Sequence, residues 1–393
     1  MVNNNPTVFT TSGLKKLVII SHTPHQVHPI MGTVGWGPTV NEINFLAGHW
    51  TEVVHIACLT DNKAANSSLP YISKNIRFIP IPSFGGKRLI QKLGVIWLAP
   101  SIIRIVRKSV SGASHVQLRV PMGIGLFLIP FFSFQRNRKY NLWIKYANNW
   151  AQLHPPMGFR IQRFMLKKNI ARCKVTINGF WSKQENHCVS FENPCLTVSQ
   201  IDEGKMVAEK KVFIPPFNLV FAGRLEDAKG VSRILNALEQ IPNDLINEMV
   251  FIGNGQNKDV YNKRAEKLSV RVIFTGDLPQ NEVHKRFISS HFILLPTTAS
   301  EGFPKVLAEA ACYGCIPVAT ELASIGHYIE NGKSGFLFHE LNLDRKFANG
   351  LMDILKTPSS TLHSIALNGL DLAERFTFYR YLSNLKKKVF SYD

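Results

Sequence analysis

Short apolar runs typical of buried strands alternate with segments of helical periodicity, and this alternation starts twice along the chain. The first series has a strand at 16–22, a loop rich in glycine, proline and histidine, a helix at about 39–49 and a strand at 52–59. This order opens a β-α-β unit, which joins parallel strands. It predicts an α/β fold with a doubly wound sheet, and further strands are expected at 76–81, 116–119, 142–147 and 174–178.

The second series begins after an irregular stretch at 191–216, and we place the linker between domains near the end of this stretch. Because 393 residues exceed one ordinary core, the chain is expected to form two Rossmann-like domains facing a cleft. The predicted domains are 1–211, 212–374 and a C-terminal amphipathic helix within 375–393. Within the second series we expect strands at 218–223, 249–255, 270–276, 291–296, 315–320 and 335–338, with helices at 231–240 and about 259–268.

The segment from Ser300 to Ala310, SEGFPKVLAEA, carries the most specific chemistry. Glu301 precedes a predicted helix whose first turn contains Pro304, and Glu309 lies inside that helix. A helix N-terminus favours a phosphate or a cluster of sugar hydroxyls, because its backbone N–H groups are free. Ionised carboxylates accept hydrogen bonds from hydroxyls. The segment therefore predicts a site for a polyhydroxyl ligand.

A second motif, FAGRLEDAKG, lies between the strand at 218–223 and the next helix. It places Gly223, Arg224, Lys229 and Gly230 in the loop at the carboxyl end of a strand, where ligands of open α/β sheets bind. A guanidinium and an ammonium five residues apart can neutralise a diphosphate from two sides. The alternative is that Arg224 and Lys229 are ordinary surface cations. The glutamate motif in the same half of the chain makes this alternative less favoured.

Together, GRLEDAKG and SEGFPKVLAEA resemble the donor-binding domain of family-4 retaining glycosyltransferases, which have the GT-B fold. The resemblance covers about 212–375 and includes FIGNGQ, TGDLPQNEVHKRF and NGKSGFLF. It implies a glycosyl transferase of class EC 2.4 whose final helix crosses back to the first domain. The residues that it assigns to the donor are Arg224 and Lys229 for the diphosphate, Lys305 as a further phosphate contact, Glu301 with the backbone of Gly302, Phe303 and Pro304 for the transferred sugar, and Glu309 for the ribose.

The first half resembles the family more loosely, through WGPTVNEINFLAGHWTEVVHIA. There Gly37 fits the loop that approaches the donor phosphate, although Pro38 replaces a second glycine common in the family. Many members carry a histidine near the sugar after a middle strand. Lys145, Asn148 and His154 are candidates for that place, but none matches cleanly and none is assigned.

The spacing of the two glutamates argues against a hydrolase pair. A retaining glycosidase holds its carboxyl groups about 5 Å apart, whereas eight helical residues span roughly 12 Å. Arg224, Lys229 and the helix N-terminus can stabilise a departing diphosphate, and the chain contains no DxD motif. We therefore expect transfer without a metal or a cofactor, from a nucleotide-sugar with UDP favoured over GDP. The resemblance implies retention of configuration.

Charge is uneven along the chain. Residues 1–211 hold 26 Lys and Arg against 8 Asp and Glu, while residues 212–393 hold 20 against 19, and no acid occurs between Asp61 and Glu185. The segment 87–108 mixes six basic residues with apolar ones and could lie on anionic lipid. A pair of ordinary core-facing helices is the alternative. Without a predicted signal peptide or spanning helix, we expect a cytoplasmic protein, peripheral on the inner face of the membrane, with a lipid-linked or saccharide acceptor and a role in polysaccharide assembly.

Other classes fit the sequence less well. A nucleic-acid-binding protein would explain the basic charge but not the sugar and diphosphate motifs, and no such partner is expected. A nicotinamide-dependent oxidoreductase would need a GxGxxG after the first strand, which is absent. A GT-B enzyme of another reaction, such as a phosphorylase or an epimerase, and a catalytically silent partner subunit stay open as alternatives.

Overall fold

A computed structural model describes residues 14–86, 89–299 and 301–390, excluding the side chains of residues 89–93 and 342. Two compact units divide the chain. The first contains most of residues 1–175, and the second comprises residues 65–68, 146–155 and 176–393. The predicted domain boundaries at 211 and 374 and the predicted cleft stay predictions.

The strands are β1 (Lys16–Ile20), β2 (His25–His28), β3 (Gly32–Trp36), β4 (Glu52–Cys58), β5 (Ser68–Pro70), β6 (Ile76–Ile81), β7 (His115–Val120), β8 (Asn141–Tyr146), β9 (Lys174–Asn178), β10 (Cys188–Phe191), β11 (Phe217–Ala222), β12 (Ile246–Ile252), β13 (Arg271–Gly276), β14 (Phe292–Leu295), β15 (Ile316–Glu321) and β16 (Phe336–His339). Strands β6 and β9 have the predicted bounds, and the other predicted strands agree within a few residues. The short strands β2, β3, β5 and β10 were not predicted.

The helices are α1 (Gly37–Ala47), α2 (Leu89–Ser109), α3 (Gly125–Phe134), α4 (Met157–Lys167), α5 (Val198–Lys210), α6 (Val231–Leu238), α7 (Lys258–Ala265), α8 (Gln280–Ser289), α9 (Lys305–Cys312), α10 (Ile325–Tyr328), α11 (Leu343–Leu355), α12 (Ser359–Arg375) and α13 (Phe378–Asn384). Three 3-10 turns lie at Asp227–Lys229, Asn243–Leu245 and Glu340–Asn342, and a π-helical turn follows at Leu385–Phe390. No helix within the described ranges is long and apolar enough to cross a membrane.

The first sheet has the order β10-β9-β8-β7-β1-β4-β6. Its central strand β1 is parallel to both neighbours, with Val18 opposite Val54 of β4 and Val116 of β7. The side chains of β1 from Leu17 to Ile20 are fully buried, as expected for a strand covered on both faces. The strand order reverses direction between β1 and β7.

The second sheet has the order β13-β12-β11-β14-β15-β16, and its strands are parallel. From β11 the chain adds β12 and β13 on one side and then returns to place β14 on the other. The reversal point therefore lies between β11 and β14, and the loops after these two strands meet there. These loops carry the two predicted motifs. The expected α/β fold with two Rossmann-like parallel sheets is confirmed.

Three local predictions were wrong. The loop after β1 contains the antiparallel hairpin β2–β3, in which His25 lies opposite Gly35. The stretch predicted to be irregular, 191–216, contains the helix α5, whose N-terminus is a capping box between Thr197 and Gln200. The single C-terminal helix is interrupted, since α12 ends at Arg375 and Thr377 caps a separate helix, α13, by accepting a hydrogen bond from the Arg380 backbone.

Two helices differ in detail from their predictions. Most of the segment 87–108 lies in one helix, α2, which includes Pro100, so the alternative of a pair of helices does not hold. Helix α9 begins at Lys305, and Pro304 is its N-cap residue rather than part of its first turn. Glu301 therefore lies four residues ahead of the helix and Glu309 in its second turn.

Candidate functional site

The loop after β11 forms the first wall of the candidate site. It runs from Gly223 through Arg224 and a 3-10 turn to Gly230, after which α6 begins. Gly230 has a φ of 93°, and a Cβ atom there would lie 2.3 Å from the carbonyl oxygen of Pro296. A glycine is therefore needed for this loop to pass so close to the loop after β14.

The two loops are joined by their backbones. The carbonyl oxygen of Ala228 accepts hydrogen bonds from the amides of Thr298 and Ala299, at 2.7 and 3.0 Å. It also accepts one from the hydroxyl of Thr297, at 3.0 Å. The hydroxyl of Thr298, at 3.4 Å, is a fourth donor. Because one carbonyl gathers four donors from the neighbouring loop, the two segments form one structural unit at the reversal point of the sheet.

An ion pair joins the two sequence motifs. Lys229 Nζ lies 2.6 Å from Glu301 Oε1, with side-chain exposures of 12% and 31%. This contact brings together residues 72 positions apart in the sequence. Arg224 is different, since its side chain is 72% exposed and pairs with Glu226 at 3.0 Å. Its guanidinium therefore faces solvent at the same strand end, while Ser300 lies outside the described residues.

The residues after Glu301 are held by close packing. A Cβ atom on Gly302 would lie 2.6 Å from both the side-chain nitrogen Nδ2 and the backbone carbonyl oxygen of Asn178. Phe303 is 2% exposed, and its ring contacts those of Tyr328 and Phe376, with centroids 4.8 and 4.7 Å away. These contacts fix the backbone that leads through Pro304 into α9. The backbone amides of this segment are thereby pre-positioned.

Glu309 is a half-buried acid within α9. Its Oε1 atom accepts a hydrogen bond from Gln280 Nε2 at 3.0 Å and lies 3.8 Å from His284 Nε2. Burial opposes ionisation of this carboxyl, but the neighbouring His284 and Lys305 outweigh it, so that the pKa of Glu309 lies below its ordinary value. Glu309 is therefore a carboxylate at neutral pH and can only accept hydrogen bonds.

Lys305 lies at the start of α9, and its ammonium donates a hydrogen bond to the carbonyl oxygen of Pro194 at 3.2 Å. The ammonium that the sequence suggests as a phosphate contact is thus already hydrogen-bonded within the protein. The residues that support Glu309, namely Gln280 and His284, were missed by the sequence analysis. Their spacing of four on α8 is the only local signal that places them on one helix face.

The predicted residue of the first unit is Gly37, which is buried and begins α1 with Pro38 in the first turn. The same unit contains an ion cluster that the sequence analysis missed. Glu42 of α1 accepts hydrogen bonds from Arg119 at 2.9 Å and from Lys145 at 2.8 Å. These three side chains are between 5% and 11% exposed. Glu42 is one of only three acids before residue 185, which is the signal that could have found it.

Asn148 and His154, the other candidates for the family's histidine position, lie outside the Glu42 ion cluster that contains Lys145. His154 is exposed. The side-chain oxygen of Asn148 accepts a hydrogen bond from the amide of Asn149 at 2.8 Å. Neither geometry identifies a catalytic group. Among the residues that the structure describes, no group of three or more His, Cys, Asp or Glu side chains could hold a metal ion, and the six cysteines are free thiols.

Residues 207–369 match the family model described as glycosyl transferases group 1. Two curated relatives match similar lengths. One is an uncharacterised glycosyltransferase of Methanocaldococcus jannaschii, 25% identical over 164 residues, or 40% of this chain and 41% of the relative. The other is a 41.2 kDa protein in the cps region of Klebsiella pneumoniae, 26% identical over 166 residues, or 42% of each chain. The match thus spans about two fifths of these relatives.

Solved structures cover almost the whole chain. HepE of Anabaena, in complex with UDP and glucose, has a TM-score of 0.65 at 15% identity and covers 94% of this chain and 98% of its own. Sucrose-phosphate synthase of Thermosynechococcus elongatus has a TM-score of 0.67 at 14% identity and covers 96% and 100%. At these identities the likeness shows the fold. The chain therefore has the GT-B fold and carries a glycosyl transferase group 1 domain that contains both loops of the candidate site.

Proposed function

We propose that the protein is a retaining, metal-independent glycosyltransferase that moves a sugar from a nucleotide-diphosphate sugar to an acceptor hydroxyl. The ion pair between Lys229 and Glu301 carries this proposal. It brings together a cation, which we assign to the diphosphate, and a carboxylate, which we assign to the sugar, at the sheet position where α/β proteins bind ligands. The group 1 domain supports the same class of reaction.

The diphosphate is the leaving group, and its developing charge is what the site must stabilise. Lys229 is largely buried and fixed by Glu301, so its ammonium is already placed before substrate binds. Arg224 is solvent-exposed, and its planar guanidinium can bind two phosphate oxygens at once. We propose that these two cations hold the diphosphate, with Gly223 allowing the backbone to approach it and Lys305 as a further phosphate contact.

The sugar and the ribose would be bound by hydrogen-bond acceptors and backbone amides. We assign the transferred sugar to Glu301 and to the backbone of Gly302, Phe303 and Pro304. Glu309, which is ionised at neutral pH, would accept hydrogen bonds from the ribose hydroxyls. Gly37 would contribute a backbone contact from the helix start of the first unit. UDP is the favoured nucleotide, consistent with the UDP complex of HepE.

The acceptor is proposed to be a lipid-linked diphosphate or a growing saccharide in polysaccharide assembly, and the protein to be a peripheral protein of the inner membrane face. The basic first half supports this, because it contains no acid between residues 61 and 185 and would attract both a diphosphate and anionic lipid. The predicted lipid-contacting segment 87–108 lies within it, although residues 87 and 88 fall outside the described residues.

The first experiment is a hydrolysis and thermal-shift screen against UDP-, GDP- and ADP-sugars, followed by variants of the ion pair. Lys229→Ala and Glu301→Gln should each lower kcat/KM by about 100-fold or more, since each removes a charge from the reacting end. The matched control is the exposed pair Lys285–Glu282 of α8, 2.8 Å apart. Lys285→Ala and Glu282→Gln should retain full activity. Full activity in both ion-pair variants would refute the assignment.

Two further measurements test the reaction type. NMR of the first-formed product should show the same anomeric configuration as the donor, whereas inversion would refute the retaining assignment. Activity should persist after extensive treatment with EDTA, and a loss that Mg²⁺ or Mn²⁺ restores would refute metal independence.

A further inference from the structure

Helix α4 exposes an apolar stripe to solvent. Met157, Ile161 and Phe164 are 78%, 40% and 58% exposed. Their spacing of four and three residues places them on one side of the helix, within an arc of about 60°. Single exposed apolar residues are ordinary on protein surfaces, but three contiguous ones on one helix face mark an interaction surface.

The orientation of α4 is fixed by its opposite face. Gln162 is fully buried, and its side chain exchanges two hydrogen bonds with the backbone of Met122, at 3.2 and 3.0 Å. A Cβ atom on Gly125 would lie 2.4 Å from Gln162 Oε1, which shows how closely α3 packs there. Leu166 on the same face is 2% exposed. Because Gln162 ties the inner face, the apolar stripe cannot turn into the core without breaking these bonds.

Basic residues flank one side of the stripe. Arg160, Lys167 and Lys168 share the exposed side of the chain at α4, and Arg160 and Lys167 lie about 60–80° from Met157 around the helix axis. No acid occurs between residues 61 and 185, so α3, which packs against α4, adds no negative charge. An apolar stripe with cations along one flank is a pattern of a helix that lies in the interface of an anionic membrane.

We infer that α4 is the membrane-docking helix of this protein, and that it inserts Met157, Ile161 and Phe164 between the headgroups of anionic phospholipids. The inference rests on the proposed function only in taking the membrane as the site of action. It moves the principal lipid contact from the segment 87–108 to α4. Among the described side chains of α2, at 94–109, the exposed apolar residues Ile96 and Trp97 lie side by side in the sequence and therefore point about 100° apart.

Flotation of the full chain with vesicles tests the inference. We expect the protein to float with phosphatidylglycerol-containing vesicles and not with pure phosphatidylcholine. Ile161→Glu/Phe164→Glu should lower the vesicle partition coefficient at least tenfold. Replacing Arg160, Lys167 and Lys168 by Gln should lower it about fivefold for each charge removed.

The matched control places the same two charges on exposed apolar positions of other helices. Met206 of α5 and Val260 of α7 are 57% and 66% exposed, and Met206→Glu/Val260→Glu should float like the wild type. Circular dichroism and sugar-nucleotide hydrolysis establish that each variant is folded, and they read the proposed transfer reaction separately from lipid binding.

Three results would overturn the inference. One is undiminished flotation of Ile161→Glu/Phe164→Glu. A second is loss of flotation in Arg104→Glu/Arg107→Glu of α2 while the α4 variant still floats, which would return the contact to α2. The third is a lipid-free dimer that Ile161→Glu/Phe164→Glu converts to a monomer, which would make the stripe a self-association surface. If the wild-type protein floats with anionic vesicles but transfers no sugar, that result would instead refute the proposed function and leave this inference standing.

Discussion

Gly230→Ala should separate the two loops of the candidate site. An alanine at a φ of 93° costs about 1–2 kcal/mol in backbone strain. Its Cβ would lie 2.3 Å from the oxygen of Pro296, so the loops must move apart by about 1 Å to reach normal contact. Such overpacking adds about 1–3 kcal/mol. We therefore expect a loss of about 2–5 kcal/mol in the free energy of unfolding.

The same shift should affect activity. Lys229 precedes Gly230 directly, so a displacement of about 1 Å would move its ammonium away from Glu301. Misplacement on this scale costs about 100-fold in rate, and kcat/KM should fall accordingly. The measurements are urea unfolding, compared through the midpoint at a common m-value, and hydrolysis of the preferred nucleotide-sugar.

Gly332→Ala is the matched control. Gly332 also has a positive φ, 74°, but no atom lies within 4 Å of the position of its Cβ. It should lose about 1–2 kcal/mol of stability from backbone strain alone and keep its kcat/KM. If Gly230→Ala were no less stable than Gly332→Ala and equally active, the close approach of the two loops would not be what organises the site.

Two further predictions concern the first unit. Glu42→Gln leaves Arg119 and Lys145 buried without their shared carboxylate, and the free energy of unfolding measured in urea should fall by about 3–5 kcal/mol. The control Glu52→Gln removes one partner of an exposed pair at 3.4 Å and should cost at most about 1 kcal/mol. Equal losses in the two variants would refute the importance of burial. Burial lowers the pKa of His115 to about 4. As the pH is lowered from 6.5 to 4, the unfolded chain therefore binds one proton more than the folded protein at this residue. The free energy of unfolding should fall by about 1.4 kcal/mol for each pH unit of that decrease. In His115→Gln the pH slope of unfolding should be shallower by one proton, and an unchanged slope would contradict the prediction.

The sequence predicted what depends on local periodicity. The strands of both sheets are short apolar runs bounded by loops, and such runs are recognisable without tertiary information. The motif loops could also be placed at strand ends for that reason. By contrast, the contact between Lys229 and Glu301 depends on β14 returning beside β11, which no local pattern specifies.

The missed elements have particular causes. Helix α5 lies between Pro194 and the prolines at 215–216, which favoured an irregular segment, and the Thr197–Gln200 capping box is the local signal that marks its start. The break before α13 depends on one threonine side chain that competes with a continuous helical pattern. The Glu42 cluster joins residues up to 103 positions apart, so only the three-dimensional structure brings it together.

The backbone link between the two loops has a consequence for recombination. Since the carbonyl of Ala228 holds the amides of Thr298 and Ala299, and Gly230 fits closely against Pro296, residues 223–230 and 296–304 depend on each other's shape. A chimera that exchanges one segment with a relative would mismatch its partner, while a chimera with both crossovers outside 223–304 would transplant them together. We therefore expect donor preference to be transferred between relatives only when both loops are exchanged together.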